Sequence, residues 1–341
     1  DLTENLKNNI EKGAEIMQID VEEYLQLAMK NTRMFTLKPK NLERNINTCC
    51  KICNFTPEEY KTFLIKAPSL IARDLATLEK NISMFRKTFE IPEKQDLSRL
   101  IAENPYMITN KLDIMDKNMG EIADYIGISK AKCVKLAMKN PMLFTIKPSV
   151  LKTNFNNICK ELDVTKEDYL PAAINNPRVF TLRADYAKKN IKDNAKFFNT
   201  SVAEFKKAAV INPRLILSYE DTLKNNIKEL AKYLGISEDY LKEMIVDYPL
   251  IYYSNISEQI SAIEELKTII RVNKDELVEI LQVNPRIIGN KPTYIQQNIQ
   301  SALETLQIDE KTYFEMAKLN PRIHTWGNDM ITKNIDMVVM K

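Results

Sequence analysis

Proline returns along this chain at a nearly constant interval, and that interval constrains the fold more than any other feature. The residues are Pro68, Pro105, Pro141, Pro177, Pro213, Pro249, Pro285 and Pro321, spaced by 36 residues apart from one gap of 37 after Pro68. Thr32 holds the same place one period earlier. A period of this size belongs to stacked supersecondary units, each touching only its neighbours, and not to a single globular core. At 341 residues an ordinary chain would hold about two domains. The unbroken period predicts one continuous solenoid over residues 1–341, with incomplete units at both ends.

The stretch from Glu220 to Pro249 shows the grammar of one unit. Leu223, Ile227, Leu230 and Leu234 lie on one apolar helical face. Gly235 suits a left-handed helix end, and Ser237 followed by Glu238 and Asp239 reads as an N-cap with acids in the first turn. A second helix is expected to run to about Asp247, stopped by Pro249, with one 3₁₀ turn over Leu250–Tyr253. The cap position recurs at Asp20, Thr56, Ser129, Thr165, Ser201, Ser237, Asn273 and Asp309; only Pro92 departs, with the extra residue of the long gap near Pro92–Asp96. Pro39, Pro148 and Pro292 share a second position, where proline suits the first turn of the long helix. The fold expected is all-α, about nine units of two helices and a short turn.

No apolar stretch approaches the roughly 18 residues that would suggest a membrane span. Leu6-Lys7-Asn8-Asn9-Ile10 repeats Leu223-Lys224-Asn225-Asn226-Ile227, so the chain opens mid-unit. It reads as a processed or trimmed product, from which any targeting segment would already be gone. The net charge of +3 neither demands nor excludes a polyanionic partner, because the distribution of charge matters more than its total.

Counted from each anchor proline, apolar residues recur three, ten and seventeen positions later. The first set is Phe35, Ile71, Ile108, Phe144, Phe180, Ile216, Tyr252 and Ile288. The second includes Leu42, Leu78, Met115, Leu151, Leu223, Ile295 and Ile331; the third Phe85, Ile122, Ile158, Leu230, Leu266 and Val338. His324, Ala187, Gln259, Asn194 and Ala302 interrupt this ladder. A proline followed by such a ladder resembles the repeat of the mitochondrial transcription termination factor (mTERF) family, across essentially the whole chain. The resemblance implies a right-handed superhelix of helix–helix–3₁₀ units. It also implies binding of double-stranded DNA, or of structured RNA such as ribosomal RNA, along a basic concave groove. Roles in transcription termination or ribosome assembly follow from it, with no catalytic chemistry and a mitochondrial location; a bacterial cytoplasmic relative is the alternative. Tetratricopeptide and pentatricopeptide signatures do not fit.

In a stacked array, one repeat position becomes one line along the surface. The residue after the anchor is Arg33, Ser69, Tyr106, Met142, Arg178, Arg214, Leu250, Arg286 and Arg322, so five of only 11 arginines share this row. Arginine presents a planar fork that can give two hydrogen bonds to one phosphate. Capping of helix C-termini, or pairing with acids of the next unit, is the other explanation. A second row, six after the anchor, holds Lys38, Lys111, Lys147, Arg183 and Lys291 against one acid, Asp74. A third, twelve after it, holds Arg44, Lys80, Lys117, Lys189 and Lys333, with no acid. Acids crowd the start of the second helix, as in Glu58-Glu59 and Glu167-Asp168. These cations are the candidate nucleic-acid contacts, following a backbone without reading bases. Asparagine thirteen after the anchor recurs at Asn45, Asn81, Asn118, Asn154, Asn190, Asn226, Asn298 and Asn334. Asparagine is a poor helix former, so the row is expected to tie each helix to a turn of its own or the adjacent unit.

Cys49, Cys50 and Cys53 suggest half a zinc site, but the repeat places Cys49 and Cys53 where Phe85 and Phe89 stand, as core residues. Five cysteines without a framework point to a reducing compartment. The sole histidine, His324, occupies a ladder position and is expected to be buried. With no Ser/His/Asp set, no glycine-rich phosphate loop and no metal constellation, the chain does not read as an enzyme, and no cofactor is expected. The expected partner is double-stranded DNA or structured RNA, bound by a monomer without a membrane. The competing class is a protein-binding scaffold whose groove takes a helix or peptide.

Overall fold

The computed structural model describes residues 2–67, 70, 75–91, 94–327 and 329–333. The expectations placed on Pro68, Ser69, Ile71, Asp74, Pro92, Asn334 and Val338 lie outside the described residues. Within them the chain is an all-α helical repeat, with no strand.

Each repeat forms as its local chemistry dictates. A long first helix, such as Pro148–Leu162 or Glu220–Leu234, is followed by a ten-residue second helix, such as Lys166–Asn175 or Glu238–Asp247. The caps act as the residue types require. Asp20, Ser129, Thr165, Ser237 and Asp309 each accept a hydrogen bond from the backbone N–H three residues on. Thr56, Ser201 and Asn273 do the same within complete capping boxes closed by Glu59, Glu204 and Glu276. Pro39 and Pro292 sit in the first turn of their helices. Most anchor prolines open a 3₁₀ turn, as in Pro141–Phe144 and Pro285–Gly289, while Arg33–Thr36 and Arg214–Leu217 close as single α-turns. The first helix ends in a left-handed residue. Gly127 and Gly235 do so at φ of 76° and 75°, but Asn54, Asp163 and Arg271 adopt the same region at 57°, 58° and 59°.

Packing divides the chain into two compact units, Asp1–Thr153 and Asn154–Lys341. In the first, Leu2–Met17 packs on Pro39–Cys53, which packs on Leu75–Thr88, which packs on Leu112–Ile126. In the second, Ala184–Phe197, Glu220–Leu234, Ile256–Ile270 and Pro292–Leu306 follow one another in the same way. The second helices Lys166–Asn175, Val202–Ile211 and Glu238–Asp247 stack alongside.

The ladder is the core. Leu42, Met115, Leu151, Leu223, Ile295, Phe85, Ile122, Ile158 and Leu230 are all buried, as are Ile108, Phe144, Phe180 and Ile216. Aromatic rings link it, with Phe85 and Phe89 at 5.0 and 5.1 Å from Phe144, and Phe155 at 5.0 Å from Phe180. Cys49 and Cys53 are buried at the positions the repeat assigns them. The interrupting residues stay inside, and each polar one makes at least one hydrogen bond, although Asn194 Oδ1 is buried without a partner among the described residues. The Asn194 amide donates to the carbonyls of Leu215 and Ser218 at 2.8 and 3.1 Å. Gln259 donates to the Ile251 carbonyl and accepts from the Tyr253 N–H. His324 is buried, its Nδ1 at 3.0 Å from the Tyr313 hydroxyl.

Two asparagine rows join the repeats. The row thirteen after the anchor reaches forward to the next turn: Asn81 donates to the Ile108 carbonyl at 3.0 Å, Asn190 to that of Ile216 at 2.8 Å, and Asn298 to that of His324 at 3.3 Å. Asparagine immediately before the anchor forms the other. Asn104 donates to the Pro141 carbonyl at 2.8 Å, Asn212 to that of Pro249 at 2.7 Å, and Asn284 to that of Pro321 at 3.2 Å.

Candidate nucleic-acid interface

The arginine row sits at the start of the short turn between the second helix of one repeat and the first helix of the next. Buried neighbours, Val179 and Phe180 beside Arg178 for example, fix the turn and leave the first side chain outside. Tyr106, Met142 and Leu250 occupy the same row and are also exposed. This is a surface row whatever residue fills it, so core packing does not select arginine there.

The five arginines are not equivalent. Arg33, Arg178, Arg286 and Arg322 are exposed. Arg214 is half-buried with its guanidinium 5.4 Å from the Tyr253 ring centre, and Arg286 lies 5.0 Å from that of Tyr248. Arg322 donates from Nε to the Val283 carbonyl at 3.2 Å, capping the C-terminus of Lys274–Val283, the second helix of the previous repeat. None of the five is ion-paired with a carboxylate among the described residues.

The second row flanks the first helix at its N-terminal end. Lys38, Lys111, Arg183 and Lys291 are extended in backbone and make no side-chain cap. Lys147 accepts from the Val150 and Leu151 N–H groups at 3.0 and 3.1 Å through its own carbonyl. A cation in this place opposes the helix dipole and therefore costs local stability. An anion placed there would meet both the lysine and the outward N–H groups of the first turn. Arg183 differs: its guanidinium holds Asp185 bidentately, Nε to Oδ1 at 3.1 Å and Nη2 to Oδ2 at 2.7 Å. That contact holds the Asp185 carboxyl below its usual range.

Arg44, Lys80, Lys117, Lys189 and Lys333 in the third row are all exposed, and Lys117 makes a loose 3.8 Å pair with Glu121. Two residues from a buried ladder position is roughly 200° around a helix, so this row looks away from the core. The first two rows thus border one connecting segment, and the third runs on the outer face of the first helix. Glu58, Glu59, Glu167, Asp168, Glu238 and Asp239 sit at the opposite, N-terminal edge of the second helix, where dipole and caps favour them.

Sequence reasoning missed Tyr248 and Tyr253, the partners of Arg286 and Arg214. Tyr248 had a signal: it stands where Asn31, Asn104, Asn140, Asn176, Asn212, Asn284 and Asn320 stand in other repeats. Burial pushes the Cys133 and Cys159 thiols up to about 11, away from the reactive thiolate. Among the described residues, no helix is long and apolar enough to cross a membrane.

The profile of one protein family, described as mTERF, matches residues 3–186 and 212–341. The stretch it omits contains Ala187 and Asn194, two residues that break the apolar ladder. No curated protein matches the chain.

Proposed function

The chain belongs to the mTERF family, a family of nucleic-acid-binding helical repeats, and on that premise we propose that it grips the phosphate backbone of double-stranded DNA or structured RNA. The observation that carries this reading is a surface row of arginines, none of them neutralised by a carboxylate among the described residues. Arg33 and Arg178 are exposed, without the ring or carbonyl contacts that engage Arg214, Arg286 and Arg322. Lys38, Lys111, Lys147 and Lys291 supply a second cation beside the same connecting segment, at helix ends that attract anions. Lys80, Lys189 and Arg44 are accessory, and Arg183 enters only by releasing Asp185.

Adjacent packed helices lie about 8–10 Å apart, and duplex DNA carries one charge per ~1.7 Å of axis. One or two cations per repeat therefore follow a backbone without reading bases, which positions the protein but does not specify a sequence. Transcriptional or ribosomal control in an organelle, in the first place the mitochondrion, is the role that fits.

Fluorescence anisotropy with duplex DNA, duplex RNA, a ribosomal-type hairpin and single strands, each across a salt series, tests the reading. A steep negative dependence of log affinity on log salt, strongest for one of the structured ligands, is expected. Weak binding with a flat salt response would overturn it.

A further inference from the structure

One joint in the second unit is built unlike its neighbours. Asn212 and Asn284 send their amides across to the next turn, but Tyr248, at the corresponding place between them, has no amide to send. Its ring instead lies half-exposed beside the Arg286 guanidinium. The next turn carries Gly289 where Thr145, Thr181 and Thr325 stand in other repeats. A Cβ at Gly289 would come within 3.0 Å of the Leu250 carbonyl carbon, so the two turns meet backbone to backbone. These exchanges leave a cleft of about 300 Å³, lined by Ile211, Tyr248, Leu250 and Ile251, with Asp247 and Arg286 at its exposed edge.

The ends of second helices in this unit also expose apolar side chains. Ile211 and Leu250 are each 53% exposed, Val283 46% and Leu319 90%. Ile211, Val283 and Leu319 share one repeat position, two before the anchor. In the first unit the same position holds Lys30, Lys66, Glu103 and Lys139. In the second unit it holds Asn175, Ile211, Asp247, Val283 and Leu319, and the three apolar side chains left in water there mark an interaction face and not a packing need.

We propose that this face docks a partner protein, through a segment that puts an apolar side chain into the cleft and a carboxylate beside it. A nucleobase fits less well, because its polar edges would lose hydrogen bonds against an apolar lining. The charge at the edge selects an acid: Arg286 is exposed and has no carboxylate partner among the described residues. Asp247 at the same edge repels a second acid and so orients the segment. Apolar residues seven apart on a partner helix are about 10.5 Å apart, close to the spacing of adjacent repeats, so such a helix would meet Val283 and Leu319 in turn. This assignment removes Arg286 from the phosphate-binding row.

A phage-displayed library of random 16-residue peptides, selected on the full chain, tests the proposal. The expected consensus pairs bulky apolar residues with Asp or Glu. A synthetic peptide of that consensus should bind at least tenfold more weakly to Leu250→Gln and to Arg286→Glu. Leu250→Gln and Leu319→Gln alter exposed side chains, so thermal midpoints and binding of labelled duplex DNA or RNA should not change. No consensus, a basic consensus, or a peptide indifferent to Leu250→Gln overturns the proposal. So does displacement of the peptide by a single-stranded oligonucleotide, which would assign the cleft to nucleic acid. Failure of the phosphate-binding reading leaves these outcomes untouched, because that reading rests on Arg33, Arg178 and the helix-end lysines.

Discussion

The side-chain amide of Asn212 donates to the carbonyl oxygens of Pro249 and Tyr252, at 2.7 and 2.9 Å, and so ties its own repeat to the next across a buried turn. Asn104 does the same with Pro141 and the Thr145 hydroxyl. The amide supplies these turn carbonyls with a donor where adjacent repeats close over them. Asn212→Leu keeps the volume but leaves the Tyr252 carbonyl without its donor and the Arg214 N–H without its acceptor, while Pro249 keeps only the Tyr252 N–H. It should lower stability by about 2 kcal/mol, read as a shift of the urea midpoint. Because each repeat leans mainly on its neighbours, the loss should also broaden the transition.

What was legible in the sequence is what acts locally. Ser237 and Thr56 announce themselves as caps because their partner N–H is three residues away, and Leu223 with Ile227 announces a buried face because the helical period is fixed. The amide of Asn212 meets its partner 37 residues on, and nothing in the spacing of asparagines names that carbonyl. The cation rows were visible as rows. Which arginines are engaged was not, because Tyr248, Tyr253 and the Val283 carbonyl reach them only through the packing of adjacent repeats.

His324 replaces an apolar ladder residue in the last complete repeat, and burial lowers its pKa from the ordinary 6.5 to about 4. The folded state therefore stays neutral where the unfolded chain takes up a proton. The histidine contributes nothing above pH 7; below it, stability falls as pH drops from about 6.5 toward 4, by up to about 1.4 kcal/mol per pH unit. Several exposed carboxylates, Asp185 and Asp309 among them, also have lowered pKa values, but their effect begins nearer the acid end. Urea titrations between pH 5 and 7 isolate the imidazole, since the chain has 1 histidine. His324→Phe, the residue of Phe144 and Phe180, should remove the slope in that window.

Gly127 ends its helix at φ 76° with nothing within 4 Å of where a Cβ would stand. Gly127→Ala thus tests backbone strain without a clash, and it should cost about 1 kcal/mol by denaturant titration. Asp163 adopts the same region at φ 58° with a side chain present, so Asp163→Gly relieves that strain. It also loses the 2.7 Å ion pair with Lys206, whose acid is exposed and contributes little. The two changes should therefore move the midpoint in opposite directions.

Arg178 and Arg322 share a repeat position and should fail in different ways. The Arg178 guanidinium is exposed and unpaired with any carboxylate among the described residues, whereas that of Arg322 is committed to the Val283 carbonyl. Arg178→Ala should leave the thermal midpoint unchanged, weaken duplex binding roughly tenfold, and reduce the salt slope by about 1, as expected for one phosphate contact. Arg322→Ala should lower stability by about 1 kcal/mol through the freed helix-end carbonyl, with a smaller change in the salt slope. Anisotropy across a salt series, run beside thermal melts of both variants, separates the two. Equal losses of affinity without any change in stability would show that the Val283 contact is given up on binding and that the whole row works as one.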